Sequence, residues 1–90
     1  AKYRQPDRPE RVARYYAMCE WFDETLGDLM KLLDDRGLRE KTLVVFASDH
    51  GEAFGEHGSE GHARDVHYEV VATPFIVSFP FKLEPGIAIT

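Results

Sequence analysis

The chain has 90 residues, 43% of them hydrophobic and 30% charged, with a formal net charge of -5 from 11 basic and 16 acidic side chains. That length fits one small domain or a piece of one, able to bury roughly 60–65% of its unfolded surface, and the composition excludes a disordered tract. The acidic excess argues against a nucleic-acid partner, no apolar run approaches the ~20 residues of a membrane span, and the first residues lack a secretory apolar segment.

Residues 1–7 read as an entry loop around Pro6. Lys2, Arg4, Arg8, Arg11 and Arg14 are interleaved with Asp7 and Glu10, the pattern of a solvated helix face. Asp7 is positioned to cap a helix whose first turn holds Pro9 and Glu10, where proline and acidic groups are best tolerated. Val12, Tyr16, Cys19, Phe22 with Trp21, Leu26, Leu29, Met30 and Leu33 then recur at three- and four-residue steps. This is one apolar stripe on a long helix over about 8–36. Cys19, the single cysteine, excludes an internal disulfide and is expected to be packed on that stripe rather than reactive. Gly27 costs the helix ~1 kcal/mol against alanine, so a close contact is expected there, and Gly37 after Arg36 is the left-handed stop.

Leu38 to Lys41 is a short connection to a strand over 43–47. The run Leu43-Val44-Val45-Phe46-Ala47 has no polar alternation, which predicts burial on both faces and a parallel sheet covered by helices. A long loop over 48–67 follows, with Gly51, Gly55, Gly58, Gly61 and all four histidines, and with room for a helical turn at Glu52 to Phe54. Residues 67–72 fit either helix or extended chain. Phe75 to Phe79, between Pro74 and Pro80, reads as a second buried strand. Two such strands would leave unpaired edges through which copies of the chain could pair into a homo-oligomer.

Polar chemistry is concentrated where the first strand ends. Asp49 and His50 supply a carboxylate and an imidazole from adjacent positions, and they can grip one cation if Gly51 lets the backbone turn. The competing reading is that Asp49 caps a helix starting at Gly51 while His50 packs against the sheet. His57 reads as a solvent-exposed loop histidine, and His62, between Gly61 and Ala63, as a stronger site candidate. Glu52, Glu56 and Glu60 are spaced like one solvated helix face. Arg64 could meet an anion through its planar donor fork, or pair with Asp65 or Glu69. His67 and Tyr68 are adjacent and point different ways, so at most one faces a site. No helical zinc-protease pattern, Ser-His-Asp arrangement or phosphate-cradling loop can be made out.

The stretch from Thr42 through Ser48-Asp49-His50-Gly51-Glu52 to Gly58, followed by Gly61-His62, Tyr68-Glu69 and Thr73-Pro74-Phe75, resembles the metal-site segment of the sulfatase family. That family lies in the alkaline phosphatase superfamily, and phosphoethanolamine and phosphoglycerol transferases share the segment. Tyr16, Asp23 and Gly27 resemble the pattern that family helices carry before this strand.

The resemblance implies an α/β fold, namely part of an alkaline phosphatase-like α/β/α sandwich with a mostly parallel sheet, and makes residues 1–90 a partial catalytic domain. It implies that Asp49 and His50 ligate a divalent cation, with calcium expected for a sulfatase and zinc or manganese fitting His50. His62 would face the ester group or its leaving oxygen as the catalytic residue, with His62 and Arg64 binding substrate. The family's nucleophile, a formylglycine from a Cys/Ser-x-Pro-x-Arg motif or a threonine, and its upstream acidic ligands are not among these 90 residues, and Met18-Cys19-Glu20-Trp21 does not fit that motif. The chain by itself is therefore expected to be inactive. Many sulfatases have Asn at the position of His50 and Lys near that of Arg64, and Ala72-Thr73-Pro74 lacks the arginine often found before that proline. The implied activity is hydrolysis of a sulfate ester on a small molecule or glycan. Phosphodiester or phosphonate hydrolysis, phosphoethanolamine transfer, a non-catalytic metal-binding or assembly module, and a small domain without a site are the alternatives.

Overall fold

The structure, a computed structural model, describes residues 2–63 and 66–88. The chain divides into two compact units, Ala1–Arg39 and Glu40–Thr90.

The first unit is built on helix α1, Glu10–Asp35. Pro9 occupies the N-cap position without a side-chain hydrogen bond, so the expected cap by Asp7 is not formed. The Pro9 carbonyl instead accepts from the N–H groups of Val12 and Ala13 at 3.0 and 3.2 Å. At the other end Gly37, at φ 62°, and Leu38 donate to the carbonyls of Asp34 and Leu33 at 2.9 and 2.8 Å. This paired closure needs a left-handed residue at Gly37, as the sequence predicts. An arm over residues 2–8 lies along the helix. Tyr3 stacks at a tilt on Tyr16, the Arg8 guanidinium stands 5.1 Å over the Tyr16 ring, and Lys2 pairs with Glu20. The arm covers the Ala13 side of the helix, and Ala13 is buried. That choice of face explains two corrections. Cys19 is exposed rather than packed, and Phe22 and Leu29 of the stripe remain about half exposed. A Cβ on Gly27 would meet nothing within 4 Å, so the close contact expected there is absent among the described residues.

In the second unit, β1 (Val44–Ala47) pairs with β4 (Phe75–Ser78) in the register Val44↔Ser78 to Ala47↔Phe75. The pairing is antiparallel, which corrects the expected parallel sheet for the described residues. An apolar run reports burial, not strand direction. Direction is set by the connection, and residues 48–74 return through a hairpin and a single helical turn rather than a crossover helix. Burial on both faces is corrected as well: Val45, Phe75 and Ile76 are 52, 71 and 58% exposed.

Between those strands the loop is more ordered than its glycines suggest. β2 (Ala53–Phe54) and β3 (Glu60–Gly61) form a small antiparallel hairpin with register Ala53↔Gly61, closed by a 3-10 turn at Glu56–Gly58. Ala53 therefore sits in a strand, not in the helical turn expected at 52–54. Helix α2, Tyr68–Val71, resolves the open assignment of residues 67–72. The Gly51 and Glu52 N–H groups donate to the carbonyls of Val70 and Glu69 at 2.7 and 3.0 Å, and Ala53 and Val70 next to these bonds are both buried.

Gly51 is needed for this approach. A Cβ there would lie 2.1 Å from the Glu69 carbonyl oxygen, a backbone atom that cannot swing aside. Gly51→Ala is expected to destabilise the chain by about 1–3 kcal/mol, the usual cost of overpacking. Gly27→Ala, in open space on a helix, should stabilise it by roughly 1 kcal/mol. Urea denaturation checks both, and equal midpoints for the two variants would contradict the packing described.

Candidate functional site

Ser48 leaves β1 with its N–H still pointing at the Pro74 carbonyl, at 3.4 Å, so Asp49 and His50 emerge directly from the sheet's last rung. No helix starts at Gly51, which removes the capping role for Asp49. One Asp49 oxygen instead accepts from the His50 N–H at 3.1 Å. Its other oxygen, Oδ2, lies 3.8 Å from His50 Nε2, and the Asp49 side chain is 89% exposed.

The tautomer of His50 follows from its neighbour. Its Nδ1 stands 2.8 Å from the Gly51 carbonyl oxygen, which can only accept, so Nδ1 carries the proton. In the neutral ring Nε2 then holds a free lone pair, the form in which imidazole binds metals. Two donors each about 2.1–2.4 Å from one ion at a roughly tetrahedral angle stand about 3.4–3.9 Å apart. The observed 3.8 Å between Asp49 Oδ2 and His50 Nε2 fits a shared cation. No group of three or more potential ligands is assembled among the described residues.

His62 joins them. Its ring stacks on His50 with centroids 3.8 Å apart and planes at 18°, and its Nδ1 lies 3.2 Å from Glu52 Oε2. The hairpin explains the second contact: stepping one residue outward from Ala53↔Gly61 places Glu52 opposite His62. A second pair of the same kind lies nearby. His57 Nδ1 is 2.8 Å from Glu69 Oε1, and the His57 ring stacks on His67 at 4.0 Å. His57 is exposed, as expected, but not idle, and Tyr68 beside His67 is 81% exposed. Arg64 lies outside the described residues.

Glu52 and Glu69 are the residues that helical spacing misassigned or passed over. Glu52 does not share a solvated face with Glu56 and Glu60: it meets His62, whereas Glu56 accepts from the Phe54 N–H within the turn. The missed signal was the turn between Gly55 and Ser59, about which residues 52 and 62 are symmetrically placed.

The hydrogen bond to His57 holds the Glu69 carboxyl below the ordinary glutamate range, helped by a bond from its own backbone. A carboxylate whose folded pKa is depressed stabilises the fold above its unfolded pKa and loses that contribution as pH falls through the folded value. Glu69→Gln should therefore lower the denaturation midpoint near neutral pH and converge with the parent chain in acid. A difference between the two that does not change with pH would show that the charge of Glu69 is immaterial.

The family model described as Sulfatase matches residues 1–89. Over 80 residues the chain is 32% identical to an endo-4-O-sulfatase of Bacteroides thetaiotaomicron, covering 89% of the chain and 16% of that protein. It is 39% identical over 72 residues to an ulvan-active sulfatase of Formosa agariphila, covering 79% of the chain and 14% of the relative. An arylsulfatase K of Xenopus laevis is 53% identical over 45 residues, covering 50% of the chain and 8% of the relative. The chain thus spans 16% or less of the length of these proteins. No solved structure matches it with significance. With nearly every residue inside the family match, and with Ser48-Asp49-His50-Gly51-Glu52 at its centre, the chain belongs to the sulfatase family.

Proposed function

We propose that the complete domain containing this segment hydrolyses sulfate esters, with a divalent cation held in part by Asp49 and His50. The observation that carries this reading is the 3.8 Å separation of Asp49 Oδ2 and His50 Nε2, with His50 Nδ1 already committed to the Gly51 carbonyl. A cation bound there would neutralise charge on the ester oxygens as a Lewis acid. The carboxylate suits calcium, the cation expected for a sulfatase, whereas the imidazole beside it suits zinc or manganese better.

His62 is the group we place at the leaving oxygen. As the S–O bond to the alcohol breaks, its electron pair goes to that oxygen, and His62, as the imidazolium with Nδ1–H on Glu52, donates a hydrogen bond and then a proton from Nε2. Arg64 would bind the remaining sulfate oxygens through its fork. The nucleophile and the other metal ligands are assigned to parts of the domain beyond this segment. The substrate class is a sulfate ester of a small molecule or glycan. The exposed apolar side chains of β4 and α1 are read as faces that the rest of the domain covers.

In the complete domain, Asp49→Ala is expected to lower kcat/KM for an aryl sulfate by about 100-fold or more, because losing even an outer partner of a metal ligand costs 10- to 100-fold. Chelation should abolish activity, and added divalent cation should restore it. Unchanged kcat/KM in Asp49→Ala would overturn the metal assignment. A matched phosphodiester should be the poorer substrate, and a reversed preference would move the protein to the phosphodiester reading, with which His50 is equally compatible.

A further inference from the structure

We infer that Glu52 is a positioning residue for His62: its carboxylate selects which ring nitrogen of His62 is presented to the substrate. The inference rests on the placement of His62 at the leaving oxygen, and it concerns orientation rather than the chemical step.

Three observations carry it. Glu52 is anchored before its side chain does anything, because its N–H donates to the Glu69 carbonyl at 3.0 Å and it lies between Gly51, bonded to Val70, and Ala53, which is 1% exposed. Its carboxylate is also partly withdrawn from solvent, 25% exposed against 89% for Asp49. It also faces His62 directly across the hairpin, one rung beyond the Ala53↔Gly61 pair. Most surface carboxylate pairs contribute little because two floppy side chains must be ordered. Here the backbone has already ordered one of them.

The consequence for His62 is geometric. An ionised carboxylate only accepts, so Nδ1 of His62, 3.2 Å from Glu52 Oε2, must donate. Nε2 is then the nitrogen left for an external group. The His50 ring, stacked at 3.8 Å, fixes the plane of the His62 ring, and Glu52 fixes its rotation within that plane. A carboxylate that sets the tautomer and angle of an imidazole without touching substrate is a recurrent arrangement in hydrolases.

The test uses the complete domain and two aryl sulfates: phenyl sulfate, whose basic leaving group needs protonation, and nitrophenyl sulfate, whose leaving group does not. His62→Ala should lower kcat on phenyl sulfate by about 100-fold and on nitrophenyl sulfate far less. Glu52→Ala should cost about 10-fold with the same skew. Glu52→Gln, whose amide oxygen still accepts from Nδ1, should recover most of that loss, and Glu52→Ala added to His62→Ala should cost nothing more. Thermal melting separates loss of fold from loss of function, and if the alanine variant unfolds, the glutamine variant and its substrate skew decide. Equal losses on both substrates, or losses that multiply in the double variant, would overturn the role of Glu52 while leaving that of His62 intact. Full activity of His62→Ala would instead remove the assignment of His62, and the inference with it.

Discussion

Two backbone hydrogen bonds, from Gly51 and Glu52 to the carbonyls of Val70 and Glu69, hold the functional half of this chain together. They tie the segment leaving β1 to helix α2 and close the loop over residues 48–74 near its base. The contact is close enough that only glycine fits at position 51. Because loop closure carries an entropic cost that grows slowly with length, a few such bonds can order a long polar connection. Burial of Ala53 and Val70 beside them adds the apolar contribution that exposed loops ordinarily lack.

Once that clamp is in place, the site is a matter of register and hydrogen-bond valence. Asp49 and His50 leave the last rung of the β1–β4 pair. The hairpin turns the chain back so that His62 lies beside both His50 and Glu52. Each imidazole has one nitrogen assigned by an obligate acceptor, a backbone carbonyl for His50 and a carboxylate for His62. The arrangement therefore presents Nε2 of both rings to whatever binds. In the first unit, electrostatics is of a different kind. The Arg14 and Arg4 guanidiniums hold the Glu10 carboxyl below its ordinary range, but both pairs are solvent-exposed: Arg14–Glu10 lies along the helix and only Arg4–Glu10 tacks the arm onto it.

Much of this is legible in the sequence. Helix α1 follows from apolar residues at three- and four-residue steps and ends where Gly37 allows a left-handed turn. The two longer strands follow from short apolar runs bounded by turn residues. Asp49, His50 and His62 stand out because charged and imidazole groups gather where a strand stops. Glu52 was not legible by the same route. Its spacing from Glu56 and Glu60 mimics a helix, whereas its true neighbour lies ten residues away across a hairpin.

The sequence by itself determined the long helix, the existence of the two main strands, the family and the candidate ligands, because each is encoded in neighbours a few residues apart or in a contiguous motif. Only the tertiary structure decided that β1 and β4 run antiparallel, that the arm covers Ala13 and leaves Cys19 exposed, that Gly51 is required for close approach, and that Glu52 meets His62. Those outcomes depend on which distant segments pack together. Periodicity carries no information about that choice, since an apolar stripe records that a face can be buried but not what buries it.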